Sequence, residues 1–517
     1  MALGPGANSS EPPAYTPDSS QERHSPIQAT PDDYYQGTET PTALHSYSKL
    51  QKHSGNVIGL TVSSFAANGA STPFFWTGST ISGTVSLELP SANSAQKDRI
   101  KSVNLELRCV RIISSSKGAQ FDLGDQAFER ALVIIPVTLV SSSGDDLGRL
   151  ENDELVHEWS YTVQIPTTYA AQAKKSTMFP MPPTFSKSGF HEFTKYELQV
   201  TVKKGLLWSN EDLAKPLIVL PRTFPPSLPS PYFQAAYERG LPLPLPSTNP
   251  DLWLGDEVTL VVRIDNYEAE VLVKCFVPRP VYRARGTAIP IPVSLDVMSI
   301  SLIASGSSNG GGLFALSEEQ LANAYGTIYQ SLRSAIKLSL EALYPIGRDA
   351  SHSYSADKPL DELPHPMETG AEVIIEPVAH SVPLWDTGLA YTGGANGDKG
   401  DGAVEEKDEK ALLAGAEGGH GPGMGVEAWL QGEIVSRANI MPDFISPNVR
   451  LAHAVNLRIE STPGLIVVSA NPPLSSNMRK PYGTFGFAPP LLTLPLIITT
   501  HSLPGDQTRS LAPVPDY

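Results

Sequence analysis

The chain has 517 residues, 40% of them hydrophobic, with a formal net charge of −16 and a pI near 5.2. That length and apolar content suffice for two or three cores of ordinary domain size, while the acidic balance argues against nucleic acid as a partner, since a phosphate backbone needs a basic surface. The two cysteines, Cys109 and Cys275, are too few for a disulfide framework and point to a reducing compartment.

The start, Met1-Ala2-Leu3-Gly4-Pro5, lacks the basic end and apolar run of a secretory leader. The longest apolar stretch, around Pro490 to Thr499, is interrupted by proline and falls short of the ~18 residues of a membrane span. Residues 1–55 are rich in Ser, Thr, Pro, Gln and Asp without a hydrophobic period, and are expected to form a disordered tail. Within it Pro12-Pro13-Ala14-Tyr15 spells a PPxY box. Consecutive prolines pre-form a polyproline II ridge that the aromatic groove of a WW domain reads, and a tyrosine two places on fills a second pocket. Pro12, Pro13 and Tyr15 are therefore candidate WW-binding residues, and Val514-Pro515-Asp516-Tyr517 repeats the box with its first proline replaced, adding Pro515 and Tyr517. Four Ser/Thr-Pro pairs make Thr16, Ser25, Thr30 and Thr40 candidate phosphorylation sites, and a phosphate on Thr16 would place charge beside the WW contact.

From Asn56 strict alternation begins. Val103, Leu105, Leu107 and Cys109 share one phase against Ser102, Asn104, Glu106 and Arg108, and Tyr196, Leu198, Val200 and Val202 repeat it. Further strands read at Val57 to Phe65, Thr84 to Leu89, Ala131 to Val140 and Val156 to Ile165. Separated by Gly/Ser/Pro turns, they predict a β-sandwich over residues 56–222.

Residues 223–252 carry Pro225-Pro226, Pro229, Pro231 and the run Leu241-Pro242-Leu243-Pro244-Leu245-Pro246, which reads as a stiff linker. A second alternating block over 253–500 follows, with Val258, Leu260, Val262 and Ile264 in one phase and Leu451, Val455, Leu457 and Ile459 late in the block. His453 falls on that apolar phase, where it reads as a hydrogen-bonded core histidine. Ser317 as N-cap with Gln320 at N3 predicts a helix over 317–344, with Leu321, Tyr325, Ile328, Leu332, Ile336 and Leu343 as its apolar stripe and Pro345 as its stop. The region 347–426 is rich in Gly, Asp, Glu and Pro and is expected to be a disordered insertion, and residues 501–517 a C-terminal tail. The fold class is all-β, two tandem sandwich lobes with disordered tails and a helix and loop insertion in the second.

Sequences for HExxH, a P-loop or GxGxxG are absent, and Cys109 and Cys275 lie too far apart for a CxxC pair. Asn396 to Asp401 imitates the start of a calcium loop without its ligand pattern. No catalytic, cofactor-binding or metal site is expected.

The strings Asn56-Val57-Ile58-Gly59-Leu60, Thr80-Ile81-Ser82-Gly83-Thr84-Val85, Pro182-Pro183-Thr184-Phe185-Ser186, Tyr282-Arg283-Ala284-Arg285-Gly286, Leu430-Gln431-Gly432-Glu433-Ile434 and Pro442-Asp443-Phe444 occur in an order and spacing that resembles the arrestin family, in particular the fungal α-arrestin (arrestin-related trafficking adaptor) group, over about residues 56 to 500. The resemblance implies arrestin-like sandwich lobes without enzymatic activity and PPxY boxes that recruit WW domains of HECT-type ubiquitin ligases. It further implies engagement of membrane transporter or receptor cargo for endocytosis, from the cytoplasm with recruitment to plasma membrane or endosomes and peripheral membrane association. The alternative is an arrestin-fold scaffold in signalling or endosomal sorting that recruits no ligase.

Overall fold

A computed structural model of the chain describes residues 40–502 apart from 68, 91–99, 115–126, 142–155, 171–177, 186–191, 206–208, 240–241, 304–315, 347–371, 381–383, 391–425, 437–439, 446–449, 461 and 472–489. The fold is all-β, two sandwiches in tandem. The first contains β1 (Ala43–Leu50), β2 (Val57–Ser64), β3 (Phe74–Trp76), β4 (Thr80–Glu88), β5 (Ile100–Ser114), β6 (Ala127–Ser141), β7 (Val156–Gln164), β8 (Thr168–Ala170), β9 (Met178–Pro180), β10 (Glu192–Lys204) and β11 (Glu211–Leu220). A four-stranded sheet, β1-β2-β4-β7, faces a five-stranded one, β3-β11-β10-β5-β6, with β8 and β9 as a separate pair. The alternation read from sequence is what fills the space between them: Ile58, Leu60, Val85 and Leu87 from one sheet meet Leu105, Leu107, Leu198 and Val200 from the other. Burial of such side chains contributes roughly 1.5–3 kcal/mol each.

Helix α1 (Pro231–Arg239) separates the sandwiches. The second contains β12 (Trp253–Ile264), β13 (Tyr267–Pro278), β14 (Tyr282–Ala284), β15 (Ala288–Leu302), helix α2 (Glu318–Ala335), β16 (Ile336–Ile346), β17 (Glu372–His380), β18 (Trp385–Ala390), β19 (Val426–Val435), β20 (Phe444–Ile445), β21 (Arg450–Ile459), β22 (Leu465–Asn471) and β23 (Leu492–Thr499). Its sheets run β18-β19-β15-β13-β12-β22 and β14-β23-β21-β16-β17, with β20 beside β21. Val262, Val271, Val293 and Leu430 of one sheet pack on Leu338, Val455 and Leu494 of the other.

Four stretches depart from the sequence expectation. The helix begins as read, with a complete Ser317/Gln320 capping box, but ends at Ala335 rather than near Tyr344. Ile336 to Ile346 instead forms β16, which pairs with β21 on one side and β17 on the other. Two ladders satisfy its backbone and bury both faces, which outweighs helix propensity over a segment whose apolar spacing fits either period. Leu321, placed on the apolar stripe, is 45% exposed, whereas Ile328 and Leu332 are buried in the core.

The stiff linker contains α1, which opens on Pro231, a residue suited to the first helical position. Its Phe233 and Tyr237, one turn apart, bury against Trp253. The insertion after residue 347 supplies β17 and β18, each pairing with a strand already in a sheet. The tail yields β1 before the alternation at Asn56 begins, because backbone bonds to β2 order a segment whose in-facing residues are mostly polar.

Candidate functional site at the junction of the sandwiches

The two sandwiches pack on each other through aromatic side chains. Phe185 of the first lies 5.6 Å from Phe444 and 6.1 Å from Tyr344 of the second, ring centre to ring centre. Ala342 and Leu451 complete that cluster, and Met441 reaches both it and a neighbouring group formed by Ala43, Ala66, Phe74, Trp76, Ile218 and Leu220. Strand β3 sets Trp76 in place by running parallel to β11, Trp76 beside Leu220. His501 lies 4.5 Å from the Trp76 ring and 5.0 Å from Phe224. Arg285 sits over the Trp76 ring at 5.5 Å, and Arg222 over Phe224 at 5.7 Å. Such stacks of cations on aromatic faces each contribute about 0.5–1 kcal/mol where water reaches them, more where it does not.

A reciprocal clasp fixes the junction beside this stack. The Thr223 amide donates to Thr500 Oγ1 at 2.7 Å, the Thr500 amide donates to Thr223 Oγ1 at 3.0 Å, and Thr500 Oγ1 donates to the Thr223 carbonyl at 2.9 Å. The His501 amide also donates to the Thr223 carbonyl, at 3.0 Å.

The segment carrying Met441 and Phe444 is held by a buried pair. Asp443 Oδ1 lies 2.5 Å from His453 Nδ1 and accepts the Ile498 amide at 2.8 Å, while Oδ2 accepts the His453 amide at 3.2 Å. His453 is therefore a hydrogen-bonded core residue, as its phase on the strand suggested, and the partner that sequence reading missed is Asp443. On the opposite face of β16 and β21 a second buried group forms: Glu341 accepts from Ser339 Oγ at 2.8 Å, from Arg458 Nη2 at 2.9 Å and from Asn456 Nδ2, and also pairs with Arg458 Nη1. Thr493 Oγ1 donates to Asn456 Oδ1 at 2.7 Å. Register accounts for the grouping, since Ser339 lies opposite Asn456 and Lys337 opposite Arg458. Nothing in the local sequence pattern links Glu341 with Arg458.

Both cysteines are buried and unpaired. Burial pushes the Cys109 and Cys275 thiols up to about 12, so neither is a thiolate near neutrality. Chemically, the junction orients and clamps. The side chains of Thr223, Thr500 and Asp443 bond there to one another, to His453 or to backbone amides.

Of the residues singled out in the sequence, Thr40 is exposed at the approach to β1, two places before Thr42, whose amide donates to the Ser64 carbonyl. Pro12, Pro13, Tyr15, Thr16, Ser25, Thr30, Pro515 and Tyr517 lie outside the described residues, as does the stretch from Asn396 to Asp401. Among the described residues, no helix is long and apolar enough to cross a membrane. No protein-family model matches the chain, and no curated protein matches it in sequence.

Proposed function

We propose that this chain is a non-enzymatic adaptor of the arrestin kind, which brings a WW-domain HECT-type ubiquitin ligase to a membrane transporter or receptor. The observation that carries the reading is the complete Pro12-Pro13-Ala14-Tyr15 box in a chain whose body is two β-sandwiches packed on each other. A PPxY box supplies ligase contact without a folded groove of its own, and paired sandwiches offer broad surfaces for cargo. The protein then works from the cytoplasm and joins the plasma membrane or endosomes through its cargo.

The test is a titration of the full chain with a tandem WW fragment of a HECT-type ligase. Binding energy concentrates in the side chains that fill pockets, so Tyr15→Ala abolishes binding while an Ala14 substitution leaves it nearly unchanged. Deleting Val514 to Tyr517 weakens binding modestly by removing a second, poorer contact. Equal affinity of wild type and Tyr15→Ala removes the adaptor reading and promotes the scaffold without ligase.

A further inference from the structure

Strand β1 is attached to the first sandwich differently from every strand beneath it. The in-facing row of β2 is Ile58, Leu60 and Val62, all buried to within 1%. One strand further out, the corresponding row of β1 is His45, Tyr47 and Lys49, so the apolar core largely ends at β2. Only Ala43 and part of the Tyr47 ring join apolar clusters. On the out-facing side Leu44 and Leu50 are 70% and 62% exposed. Among the described strands β1 pairs with β2 alone, and its far edge forms the end of the sheet.

Beyond its ladder to β2, β1 is held chiefly by polar contacts across the open end of the sandwich. Lys49 Nζ donates to the Asp212 carbonyl at 2.7 Å and lies 3.7 Å from its carboxylate. Gln51 Nε2 donates to the same carbonyl at 3.2 Å. Lys215 Nζ sits 4.9 Å from the centre of the Tyr47 ring. Contacts of this partly exposed kind are each worth less than about 1 kcal/mol, because water replaces them.

His45 is the buried exception, 8% exposed, with Nε2 2.9 Å from Ser64 Oγ. That oxygen already accepts the Ala66 amide proton at 3.2 Å, which leaves the Ser64 hydroxyl proton free to point at Nε2. In the tautomer with Nδ1 protonated, Nε2 accepts the Ser64 hydroxyl and the imidazole is neutral. A second proton, on Nε2, would then turn Ser64 Oγ into a double acceptor and displace its hydroxyl proton from that partner. The charged and titratable groups nearby offer no compensation. Tyr47 stacks on His45 at 6.4 Å and carries Lys215 Nζ 4.9 Å from its ring, and Asp212 is engaged by Lys49. At the start of the strand Ala43 packs with Trp76, whose ring carries Arg285 and His501.

We propose that β1 is a releasable strap on the first sandwich, and that protonation of His45 lets it go, baring the backbone edge of β2. Burial holds the His45 imidazole below its ordinary value of 6.5. The released strand takes up a proton that the docked strand refuses, so docking is unaffected by pH above 6.5 and weakens as pH falls through 6.5 toward the lowered value. Over that window the release constant rises about tenfold per pH unit.

Hydrogen exchange of the full chain by mass spectrometry at pH 7.5 and 5.5, corrected for intrinsic rates, tests this. Peptides from β1 should exchange faster at the lower pH, by up to about tenfold, those from β2 along with them, while β10 peptides keep their protection. His45→Gln, which retains a bonding partner for Ser64 without titrating, should abolish the pH dependence. If that variant leaves β1 unprotected at pH 7.5, a Ser46→Cys/Thr61→Cys pair, whose positions lie opposite each other in the ladder, decides instead. When oxidised it should hold protection at pH 5.5, and on reduction it should lose it. Wild-type protection unchanged at pH 5.5, the same acid response in His45→Gln, or equal loss in the oxidised and reduced pairs overturns the proposal.

Discussion

Asp443 and His453 share a hydrogen bond of 2.5 Å inside the second sandwich, and each of the two also bonds a backbone amide or supplies one. The pair joins the segment running from Ile440 to Ile445 to both β21 and β23. Because Met441 and Phe444 on that segment carry much of the contact with the first sandwich, a bond within one sandwich sets the surface that meets the other.

Removing the carboxylate should therefore be costly. Asp443→Ala leaves the Ile498 amide, the His453 amide and the His453 ring without their acceptor, and should destabilise the fold by about 3 kcal/mol. Asp443→Asn, which keeps one oxygen for Ile498 and His453 Nδ1, should cost distinctly less. Denaturant titration of the two variants beside wild type measures the difference, and equal losses would assign the effect to packing.

Glu341 and Arg458 form a buried pair whose members depend on each other. Either Glu341→Ala or Arg458→Ala should cost about 3–5 kcal/mol by leaving a charge buried alone. Replacing both by apolar residues, Glu341→Leu with Arg458→Met, should recover most of that loss. A double-mutant cycle in chemical denaturation reads the coupling directly.

Two leucines on one helix should behave oppositely. Leu332 is fully buried in the core while Leu321 is 45% exposed. Leu332→Asp should lose 3 kcal/mol or about that much, and Leu321→Asp should stay within about 0.5 kcal/mol of wild type. Thermal melts of the pair distinguish a helix docked by its C-terminal half from one docked along its whole length.

With thiols pushed up to about 12 and buried, Cys109 and Cys275 stay almost wholly protonated at pH 8. Iodoacetamide should leave both untouched in the native protein and alkylate both after unfolding, as read by intact mass. Labelling of either at pH 8 without denaturant would reveal an opening of the corresponding sandwich.

The strands legible in the sequence are those whose two faces differ chemically. Val103, Leu105, Leu107 and Cys109 alternate with polar residues and lie in the core of the first sandwich, with Cys109 opposite Tyr196 and Leu105 opposite Val200. β16 was not legible, because Ser339, Glu341 and Leu343 are buried on the face that alternation assigns to solvent, and a strong capping box upstream favours helix. Pro345, read as a helix stop, sits in the ladder opposite Val373. β1 was hidden for the opposite reason, since its in-facing His45, Tyr47 and Lys49 look like tail residues. The position of His453 followed from its phase, whereas Asp443 becomes its partner only through the placement of the segment before β20, which no local pattern specifies.

The clasp between Thr223 and Thr500 also decides how the molecule carries load. It joins the point where the chain leaves the first sandwich to the point where it leaves the second, so the polypeptide between them is a loop pinned at its base by the clasp. A pull on the segments before β1 and after β23 therefore strains the first sandwich and the junction before it reaches the strands of the second.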